Sequence, residues 1–319
     1  MKNTVLITGA AGLIGSYLCQ ARLAQGCRVV GIDNFNDYYS PKQKRANVAG
    51  FVDHERFTLC EVDIRDTDAV NEIFETHKPH AVAHLAAMAN VRYAIGRTPL
   101  YTDVNITGSV NLLEAAHHTG TGVFAFASTS SIYGKTDQLP FVETDPCNKP
   151  LSAYPASKKA VELLGYTYHN LHGMNFTALR FFSVYGPRAR PDMMPFMVTD
   201  RIARGDKITL FDAGDMKRDW TFVDDIVQGV CSAMDTPLGY QVINIGRGEP
   251  VLMKDFVTLI EQLVGKKAIL ETPPAPASEP KITFANIDKA QKLLNYNPKT
   301  SINDGLAKLW AWYQQQYLG

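Results

Sequence analysis

The sequence predicts an α/β fold in which a doubly wound parallel sheet carries a smaller α/β lobe at its C-terminal side. Short β-branched runs alternate with amphipathic stretches through the first half of the 319-residue chain. This is the pattern of a parallel sheet with helices on both faces. After about residue 185, proline and glycine become frequent and the elements shorter. We therefore predict a first domain over residues 1–182 and a lobe over residues 183–319, with some segments of the lobe returning to the first sheet.

The individual elements follow from local patterns. Short apolar or β-branched runs predict six strands, at residues 4–8, 28–32, 57–61, 81–84, 122–127 and 175–182. Apolar side chains at helical spacing predict helices at residues 13–25, 66–77, 99–118, 154–173 and 302–317.

Composition and charge exclude several classes of function. The chain has 32 basic and 32 acidic residues, so nothing in its charge favours nucleic acid or an anionic membrane as a partner. Hydrophobic residues make up 45% and charged residues 20% of the chain, which is ordinary for a soluble globular protein. No stretch approaches the ~20 apolar residues that span a bilayer. We expect neither nucleic-acid nor membrane binding.

The cysteines indicate a reducing environment. Five are scattered along the chain without a Cys-x-x-Cys motif, and the number is odd. A disulfide framework and a zinc site are therefore not expected, and no metal is predicted. The first apolar run is too short for a signal peptide, and a glycine-rich turn follows it at once. These features favour a cytoplasmic location.

A glycine-rich turn follows the first predicted strand, in the segment TVLITGAAGLIG. Gly9 permits a tight turn, Gly12 lets the backbone approach a pyrophosphate, and Gly15 lets the next helix pack on the strand. The N-terminus of that helix offers N–H groups and a partial positive charge to phosphates. Such a pattern also occurs in plain βα turns, but here a buried strand precedes it and an acid ends the second strand. We predict a Rossmann-type dinucleotide site, to which the first helical residues also contribute: Leu13 and Ile14.

The acid at the end of the second strand selects between the two nicotinamide dinucleotides. Asp33 would accept hydrogen bonds from the ribose hydroxyls of adenosine, and its charge would repel a 2′-phosphate. The next residue is Asn34 rather than an arginine. NAD is therefore favoured over NADP. The alternative is that Asp33 only forms a turn.

A Tyr-x-x-x-Lys pair lies on a predicted helix. Tyr154 and Lys158 are four residues apart and so lie on one face, about one turn from each other. A free tyrosine has a pKa near ~10 and is a poor base at neutral pH. A nearby ammonium, together with the positive nicotinamide ring of NAD+, would favour the phenolate and lower that pKa. A Tyr-x-x-x-Lys pair is common by chance. It indicates a catalytic role here because a glycine turn lies upstream and a hydroxyl cluster precedes it.

Together these motifs resemble the extended short-chain dehydrogenase/reductase superfamily over essentially the whole chain. Within that superfamily the sequence is similar to the NAD-dependent nucleotide-sugar epimerases, and most of all to the UDP-glucuronate 4-epimerases. The resemblance rests on these stretches: TGAAGLIG (8–15), GIDNFNDYY (31–39), HLAAMANVRY (84–93), STSSIYG (128–134), YPASK (154–158), RFFSVYGPRARPDM (180–193) and GDMKRDWTFVDDI (214–226).

The resemblance implies further cofactor contacts. The adenine ring would be held at Asp63 and Ile64, after the third strand. The segment after the fourth strand would line the cofactor with Leu85, Ala86 and Ala87.

It also implies a catalytic set. Thr129 would hydrogen-bond the reacting sugar oxygen, Tyr154 would be the acid and base, and Lys158 would bind the nicotinamide ribose and tune Tyr154. Asn105 matches a helix position near the active site of such enzymes. Its alternatives are a helix kink or a buried amide.

The C-terminal lobe would hold the nucleotide. The resemblance places Ser183 near the diphosphate, and Arg218 would bind two phosphate oxygens with its planar fork. Arg190 is a second candidate for the phosphates, and a salt bridge is the alternative for Arg218. The stretch SEPKITFAN departs from the family pattern. There Glu279 would replace the acid that holds the uridine ribose, and Lys281 a basic residue near the phosphates.

The hydroxyl cluster after the fifth strand bears on the reaction. The resemblance implies that sugar-nucleotide dehydratases and glucuronate decarboxylases carry carboxylates just after the threonine, where this chain has Ser130 and Ser131. Their absence favours removal and return of a hydride without elimination. A sugar carboxylate would also accept hydrogen bonds from hydroxyls and be repelled by a glutamate. We hypothesise that Thr129, Ser130, Ser131 and Arg92 hold a C6 carboxylate. The serines could alternatively cap the strand or bind a hexose hydroxyl.

The expected function is NAD-dependent 4-epimerisation of a UDP-sugar, converting UDP-glucuronate into UDP-galacturonate. Three alternatives stay open: a 4-epimerase for UDP-glucose or UDP-N-acetylglucosamine, a net oxidoreductase acting on sugar nucleotides, and a non-catalytic NAD-binding regulator. The resemblance also implies a homodimer that pairs through the two long helices at about residues 99–118 and 152–172.

Overall fold

A computed structural model of the chain describes residues 4–276 and 280–319. The strands of this described part are β1 (Thr4–Thr8), β2 (Arg28–Ile32), β3 (Phe57–Cys60), β4 (Ala81–His84), β5 (Val123–Thr129), β6 (Asn175–Phe181), β7 (Ser183–Tyr185), β8 (Lys207–Thr209), β9 (Lys217–Phe222), β10 (Tyr240–Ile245), β11 (Pro250–Leu252), β12 (Ile269–Glu271) and β13 (Ile282–Thr283). The α-helices are α1 (Leu13–Ala24), α2 (Pro41–Val48), α3 (Thr67–His77), α4 (Thr98–Thr102), α5 (Gly108–His118), α6 (Ala153–His172), α7 (Met194–Arg204), α8 (Val223–Asp235), α9 (Met253–Val264), α10 (Asp288–Leu294) and α11 (Ile302–Tyr317).

Seven strands form one central sheet in the order β10-β6-β5-β4-β1-β2-β3, and every neighbouring pair is parallel. The α/β prediction with a doubly wound parallel sheet is confirmed. The chain order reverses between β1 and β4, and the crevice at such a reversal is where open α/β sheets bind ligands. β10 belongs to the second half of the chain, so a segment of that half does return to the first sheet.

Both faces of the sheet are buried. Alternate side chains of each strand point to opposite faces, and each face packs into its own hydrophobic cluster. In β1, Val5 and Ile7 belong to one hydrophobic cluster, while Leu6 belongs to another on the opposite face. The same division separates Val29 from Val30 in β2. These strands are therefore held by packing from both sides, and their carboxyl ends form a rigid edge.

The second half of the chain builds smaller sheets beside this edge. β9 pairs with β7 and β13 in parallel and with β11 in antiparallel orientation, and β8 pairs with β12. β7 follows β6 after a single residue, so β9 is joined to the end of the central sheet through β7.

The predicted helix at residues 99–118 is interrupted. α4 and α5 are separated by a π-helical turn, Asp103–Thr107, that contains Asn105. The buried Asn105 amide accepts a hydrogen bond from the Met88 backbone N–H (2.8 Å) and donates to the Met88 carbonyl (2.9 Å) and the Ser157 hydroxyl (2.9 Å). Asn105 thus joins the loop after β4 to α6. Of its two sequence-based alternatives, the structure shows the buried amide, which lies in the π-helical turn.

Several predicted strand ends also differ from the structure by one or two residues: the sixth strand ends at Phe181 rather than at residue 182, and the fifth begins at Val123. The strand predicted at residues 122–127 reaches Thr129, because Ser128 and Thr129 continue the ladder with β6. The strand predicted at residues 57–61 ends at Cys60. Within residues 4–276 and 280–319, no helix is both long and apolar enough to cross a membrane.

Candidate active site

A cavity of about 490 Å³ opens at the carboxyl edge of the central sheet. All the residues predicted to bind the cofactor or to act in catalysis line this cavity: Gly9, Gly12, Leu13, Ile14, Gly15, Asp33, Asn34, Asp63, Ile64, Leu85, Ala86, Ala87, Thr129, Tyr154 and Lys158. The predicted substrate residues that line it are Ser130, Ser131, Ser183 and Arg190. Residues distant in sequence thus meet in one site because parallel strands end at the same edge.

The glycine turn leaves no room for side chains. A Cβ atom on Gly15 would lie 2.0 Å from the Gly9 carbonyl oxygen, and one on Gly9 would lie 2.9 Å from the Ala86 backbone nitrogen. Gly9 also has a φ of +68°, which favours glycine. α1 begins after Gly12, and within the described chain no side chain caps its first turn. The turn therefore fits a pyrophosphate, which would accept hydrogen bonds from the backbone N–H groups in the first turn of α1.

Asp33 is held in place by the backbone. Its two carboxylate oxygens accept hydrogen bonds from the N–H groups of Ala11 (3.0 Å) and Phe35 (2.9 Å). The first contact ties Asp33 to the glycine turn, so the turn-forming role and a place in the cavity coexist. Binding of the adenosine ribose by Asp33 stays a prediction.

Asp63 and Asn34 meet at the same end of the cavity, where the Asn34 amide donates to the Asp63 carboxylate (2.8 Å). Arg65 also binds Asp63 through Nε and Nη2, at 2.9 Å each. Hydrogen bonding from Arg65 lowers the pKa of Asp63 to about 2, although partial burial opposes the shift. Asp63 is therefore charged at neutral pH and already engaged by two side chains.

Tyr154 and Lys158 lie one turn apart near the start of α6. Burial raises the pKa of Tyr154, whereas hydrogen bonding with Thr129 and the charge of Arg190 act in the opposite direction. Burial lowers the pKa of Lys158 to about 7, and its ammonium lies 4.6 Å from the centre of the Phe126 ring. The lowering of the Tyr154 pKa that the sequence predicts does not arise from the chain's own groups, because desolvation outweighs them. In the chain by itself, the pKa of Tyr154 is therefore raised rather than lowered.

The hydroxyl cluster lies where β5 ends. Thr129 is the last residue of the strand, and its Oγ1 accepts a hydrogen bond from the Ser131 backbone N–H (3.2 Å) at the start of a 3₁₀ turn. Thr129 therefore caps the turn after the strand, whereas the sequence predicts capping, as an alternative, for Ser130 and Ser131. Ser130 and Ser131 both line the cavity.

A buried ion pair that the sequence did not indicate supports this region. Glu162 lies one turn beyond Lys158 on α6 and binds Arg180 of β6 through two hydrogen bonds of 2.9 Å. It also accepts a hydrogen bond from Ser128 of β5 (2.7 Å). Arg180 holds the pKa of Glu162 below its usual value against the effect of burial. The pair joins the catalytic helix to the two strands beneath it.

A buried histidine orders the loop after β4. The ring of His84 hydrogen-bonds the hydroxyls of Thr8 (2.7 Å) and Ser109 (2.8 Å). The Thr8 oxygen also accepts from the backbone N–H groups of Leu85 and Ala86, each at 3.1 Å. Burial and the charge of Lys158 hold the pKa of His84 well below its usual value, so the ring is neutral. It therefore fixes the backbone that lines the predicted cofactor site.

Three predicted substrate residues lie elsewhere among the described residues. Arg92 is exposed, with its guanidinium 5.6 Å from the Phe211 ring centre. Arg218 donates to the Lys217 carbonyl (2.9 Å) in β9, and Lys281 lies in the segment that pairs with it. None of these three is part of the cavity lining found in the described chain. Glu279 lies outside the described residues.

Sequence reasoning missed several polar residues of the cavity, namely Tyr38, Lys44, Asn90 and Asp192. Three of them belong to stretches on which the resemblance rests, but no local pattern marks them individually. Tyr38, Asn90 and Asp192 lie in loops, whereas Lys44 lies on α2, and the sheet order decides how these segments approach each other.

A glycine turn that fits a dinucleotide, with a Tyr-x-x-x-Lys pair in the same cavity, defines a nicotinamide-dependent protein of the short-chain dehydrogenase/reductase type. The comparison with protein families agrees. The chain belongs to the NAD dependent epimerase/dehydratase family, whose model matches residues 5–246. The resemblance stated from the motifs is confirmed, and with it NAD as the cofactor of the family.

Individual relatives are similar over nearly the whole chain. UDP-glucuronate 4-epimerase of Thermodesulfobacterium geofontis is 40% identical over 311 residues, which are 97% of this chain and 96% of that protein. The crystal structure of UDP-glucuronic acid 4-epimerase from Bacillus cereus, in complex with UDP-glucuronic acid and NAD, has a TM-score of 0.92 at 36% identity and covers 98% of this chain and 100% of its own. UDP-glucose 4-epimerase of Thermotoga maritima has a TM-score of 0.89 at 28% identity, with coverage of 98% and 99%.

Proposed function

We propose that this chain is an NAD-dependent isomerase that converts UDP-glucuronate into UDP-galacturonate by transient oxidation at C4. The observation that carries the proposal is that Thr129, Tyr154 and Lys158 share one cavity with the glycine turn and Asp33. The similarity to proteins named UDP-glucuronate 4-epimerase supports the choice of substrate.

The chain's own residues perform the proton transfer. When bound, NAD supplies a hydride acceptor and donor. Tyr154 takes the proton from the C4 hydroxyl. It returns the proton after the 4-keto sugar has rotated so that its opposite face is turned towards the nicotinamide. Thr129, which hydrogen-bonds Tyr154, orients the reacting oxygen. Lys158 binds the nicotinamide ribose and stabilises the phenolate.

The hydroxyls after β5 recognise the sugar carboxylate in this proposal. Thr129, Ser130 and Ser131 donate hydrogen bonds, and segment 128–133 contains no carboxylate to repel the ligand. The 4-keto intermediate is a β-keto acid, which loses CO₂ when the breaking bond lies perpendicular to the carbonyl plane. Holding the carboxylate away from that angle protects the product. Arg92, the fourth residue predicted to hold the carboxylate, is exposed and does not line the cavity of the described residues.

The division of labour between the two halves is part of the proposal. Residues 1–182 would bind NAD, and residues 183–319 would mainly hold the nucleotide sugar. Ser183 and Arg190 support this assignment by their place in the cavity. Among the remaining candidates for nucleotide binding, Arg218 and Lys281 do not line the cavity that the described residues form. Glu279 lies outside the described residues.

We further propose a homodimer in the cytoplasm. α6 leaves large apolar side chains exposed on one side, with Leu163 at 59%, Tyr166 at 51% and Leu171 at 66%. Helices α5 and α6 are neighbours, so a second copy could cover both. The five unpaired cysteines support a reducing compartment.

A panel of UDP-sugars tests the reaction. Purified protein is incubated without added cofactor with UDP-glucuronate, UDP-glucose or UDP-N-acetylglucosamine, and its bound nucleotide is identified by mass spectrometry. We expect retained NAD and conversion of UDP-glucuronate in preference to the neutral sugars. Tyr154→Phe should keep the bound NAD and lose at least about 100-fold in turnover, because the proton acceptor is gone.

The same assay separates the alternatives. Equal or better turnover of UDP-glucose would contradict the proposed binding of the sugar carboxylate by Thr129, Ser130 and Ser131 and would leave a neutral-sugar epimerase. Release of one NADH per sugar would indicate a net oxidoreductase. Unchanged activity of Tyr154→Phe would contradict the proposed chemistry altogether.

A further inference from the structure

Three loops from distant parts of the chain meet at one carboxylate. Asp192 Oδ2 accepts a hydrogen bond from the Tyr38 hydroxyl (3.0 Å) and another from the Asn90 amide nitrogen (2.8 Å). Tyr38 lies after β2, Asn90 after β4, and Asp192 after β7. We call these three residues the clasp. All of them line the cavity.

The sheet order places the clasp across the glycine turn. β2 and β4 are the two neighbours of β1, and the glycine turn leaves β1 at the same edge. A contact that joins the loops after β2 and β4 therefore bridges the carboxyl end of β1. Asp192 closes this bridge from the second half of the chain.

Other contacts make the clasp stiff. Arg190 binds Asp192 through Nε (3.0 Å) and Nη2 (3.2 Å), and its guanidinium lies 5.2 Å from the Tyr38 ring centre. The Tyr38 ring packs edge-on against Tyr93, with their centres 4.8 Å apart. Opening the clasp therefore disrupts several contacts together.

The loop after β4 is itself anchored. The Tyr101 hydroxyl donates to the carbonyl oxygens of Ala89 (2.6 Å) and Asn90 (3.0 Å). Asn90 has a φ of +82°, an uncommon conformation outside glycine. Arg190, with the hydrogen bonds of Asn90 and Tyr38, also holds the pKa of Asp192 below its usual value, so the acceptor is charged at neutral pH.

We propose that the clasp of Tyr38, Asn90 and Asp192 closes over the pyrophosphate of the dinucleotide and limits its rate of dissociation. The inference rests on the proposed function, because an epimerase has to keep the same cofactor between oxidation and re-reduction. A cofactor seated on the glycine turn leaves when the loops after β2 and β4 separate, and that step breaks at least one of the two hydrogen bonds to Asp192.

The test measures cofactor release directly. Protein loaded with NADH is diluted into excess NAD+, and the decay of bound NADH fluorescence gives the dissociation rate constant. Tyr38→Phe removes one donor to a charged acceptor and should speed release about tenfold or more. Asn90→Gly, which suits the positive φ, removes the other donor and should act in the same direction. Tyr93→Phe is the matched control, since it removes a hydroxyl from the adjacent ring and leaves every clasp contact in place.

The outcomes distinguish the clasp from the proposed function. Faster release by Tyr38→Phe and Asn90→Gly, with melting temperatures and Tyr93→Phe close to wild type, supports the clasp. Tight NADH binding with wild-type release rates in both variants overturns it and leaves the epimerase proposal intact. Failure of the wild-type protein to hold NADH contradicts the proposed function itself.

Discussion

Lys158, to which we assign a role in the proposed reaction, carries a cost in stability. Its side chain is buried in the cofactor-free chain, with 3% exposed, and its pKa falls to about 7 because water is excluded. A charged ammonium in such a place is costly, and its contact with the Phe126 ring offsets only part of the lost hydration. The buried ammonium that the proposed reaction requires therefore lowers the free energy of unfolding.

Lys158→Met should stabilise the cofactor-free protein and abolish turnover. We expect the free energy of unfolding near neutral pH to rise by about 2 kcal/mol, since a buried charge is replaced by an apolar chain of similar length. The folded pKa is about 7 and the unfolded value near ~10.4, so folding releases a proton between them. Wild-type stability rises over that window, and the advantage of the variant shrinks with increasing pH.

Urea unfolding at several pH values measures this effect. Lys42→Met serves as the control because Lys42 is exposed, and it should show no such pH-dependent gain. A Lys158 variant less stable than wild type below pH 7 would mean that the ammonium is better solvated than its burial implies.

Ser131 tests the recognition of the sugar acid. Ser131→Glu should raise KM for UDP-glucuronate at least about tenfold more than for UDP-glucose, because the new carboxylate repels the C6 carboxylate. Ser131→Gln is the matched control, since it has nearly the same size without the charge. Steady-state kinetics with both sugars give the comparison. Equal losses for the two sugars in the Glu variant would place the carboxylate away from Ser131.

At the scale of elements, α6 is the part that decides whether the site is assembled. It carries Tyr154 and Lys158 on its first turns and Glu162 on the next. The ion pair of Glu162 with Arg180 fixes the helix to β6, and the Ser128 hydroxyl fixes it to β5. Gly165 lets the same helix approach closely, since a Cβ there would lie 2.3 Å from the Phe176 ring.

Glu162→Ala should destabilise the protein by about 3–5 kcal/mol, because Arg180 is left as an uncompensated buried charge. Denaturant unfolding measures the loss. The double variant Glu162→Met/Arg180→Met should recover much of the stability, since an apolar pair replaces the ion pair. Comparable stability of wild type and Glu162→Ala would mean that water reaches Arg180.

At the scale of the whole molecule, the apolar side of α6 is the surface that the proposed dimer would bury. Leu163→Glu should shift the protein towards monomer, because a charge would be buried at the centre of the contact. Light scattering after size-exclusion chromatography measures the mass. Leu270→Glu is the control, since Leu270 is also exposed, at 41%, but lies on β12. A monomeric wild-type protein, or equal effects of both changes, would contradict the proposed interface.

The sequence by itself determined the local features of this protein. The strand of Thr4–Thr8, the glycine turn after it, Asp33 at the end of β2 and the Tyr-x-x-x-Lys pair on α6 depend on spacing and on short-range geometry. Each could therefore be predicted from its own neighbourhood, and the glycine turn, Asp33, Tyr154 and Lys158 all line the cavity.

Only the tertiary structure decided which distant residues meet. The clasp joins loops after β2, β4 and β7, and the Glu162–Arg180 pair joins a helix to a strand, so no local pattern announces either. The raised pKa of Tyr154 was also beyond the sequence, because desolvation depends on how completely the surrounding chain excludes water. Spacing along the chain specifies each element, whereas the order of strands in the sheet specifies their contacts and the solvation of the groups between them.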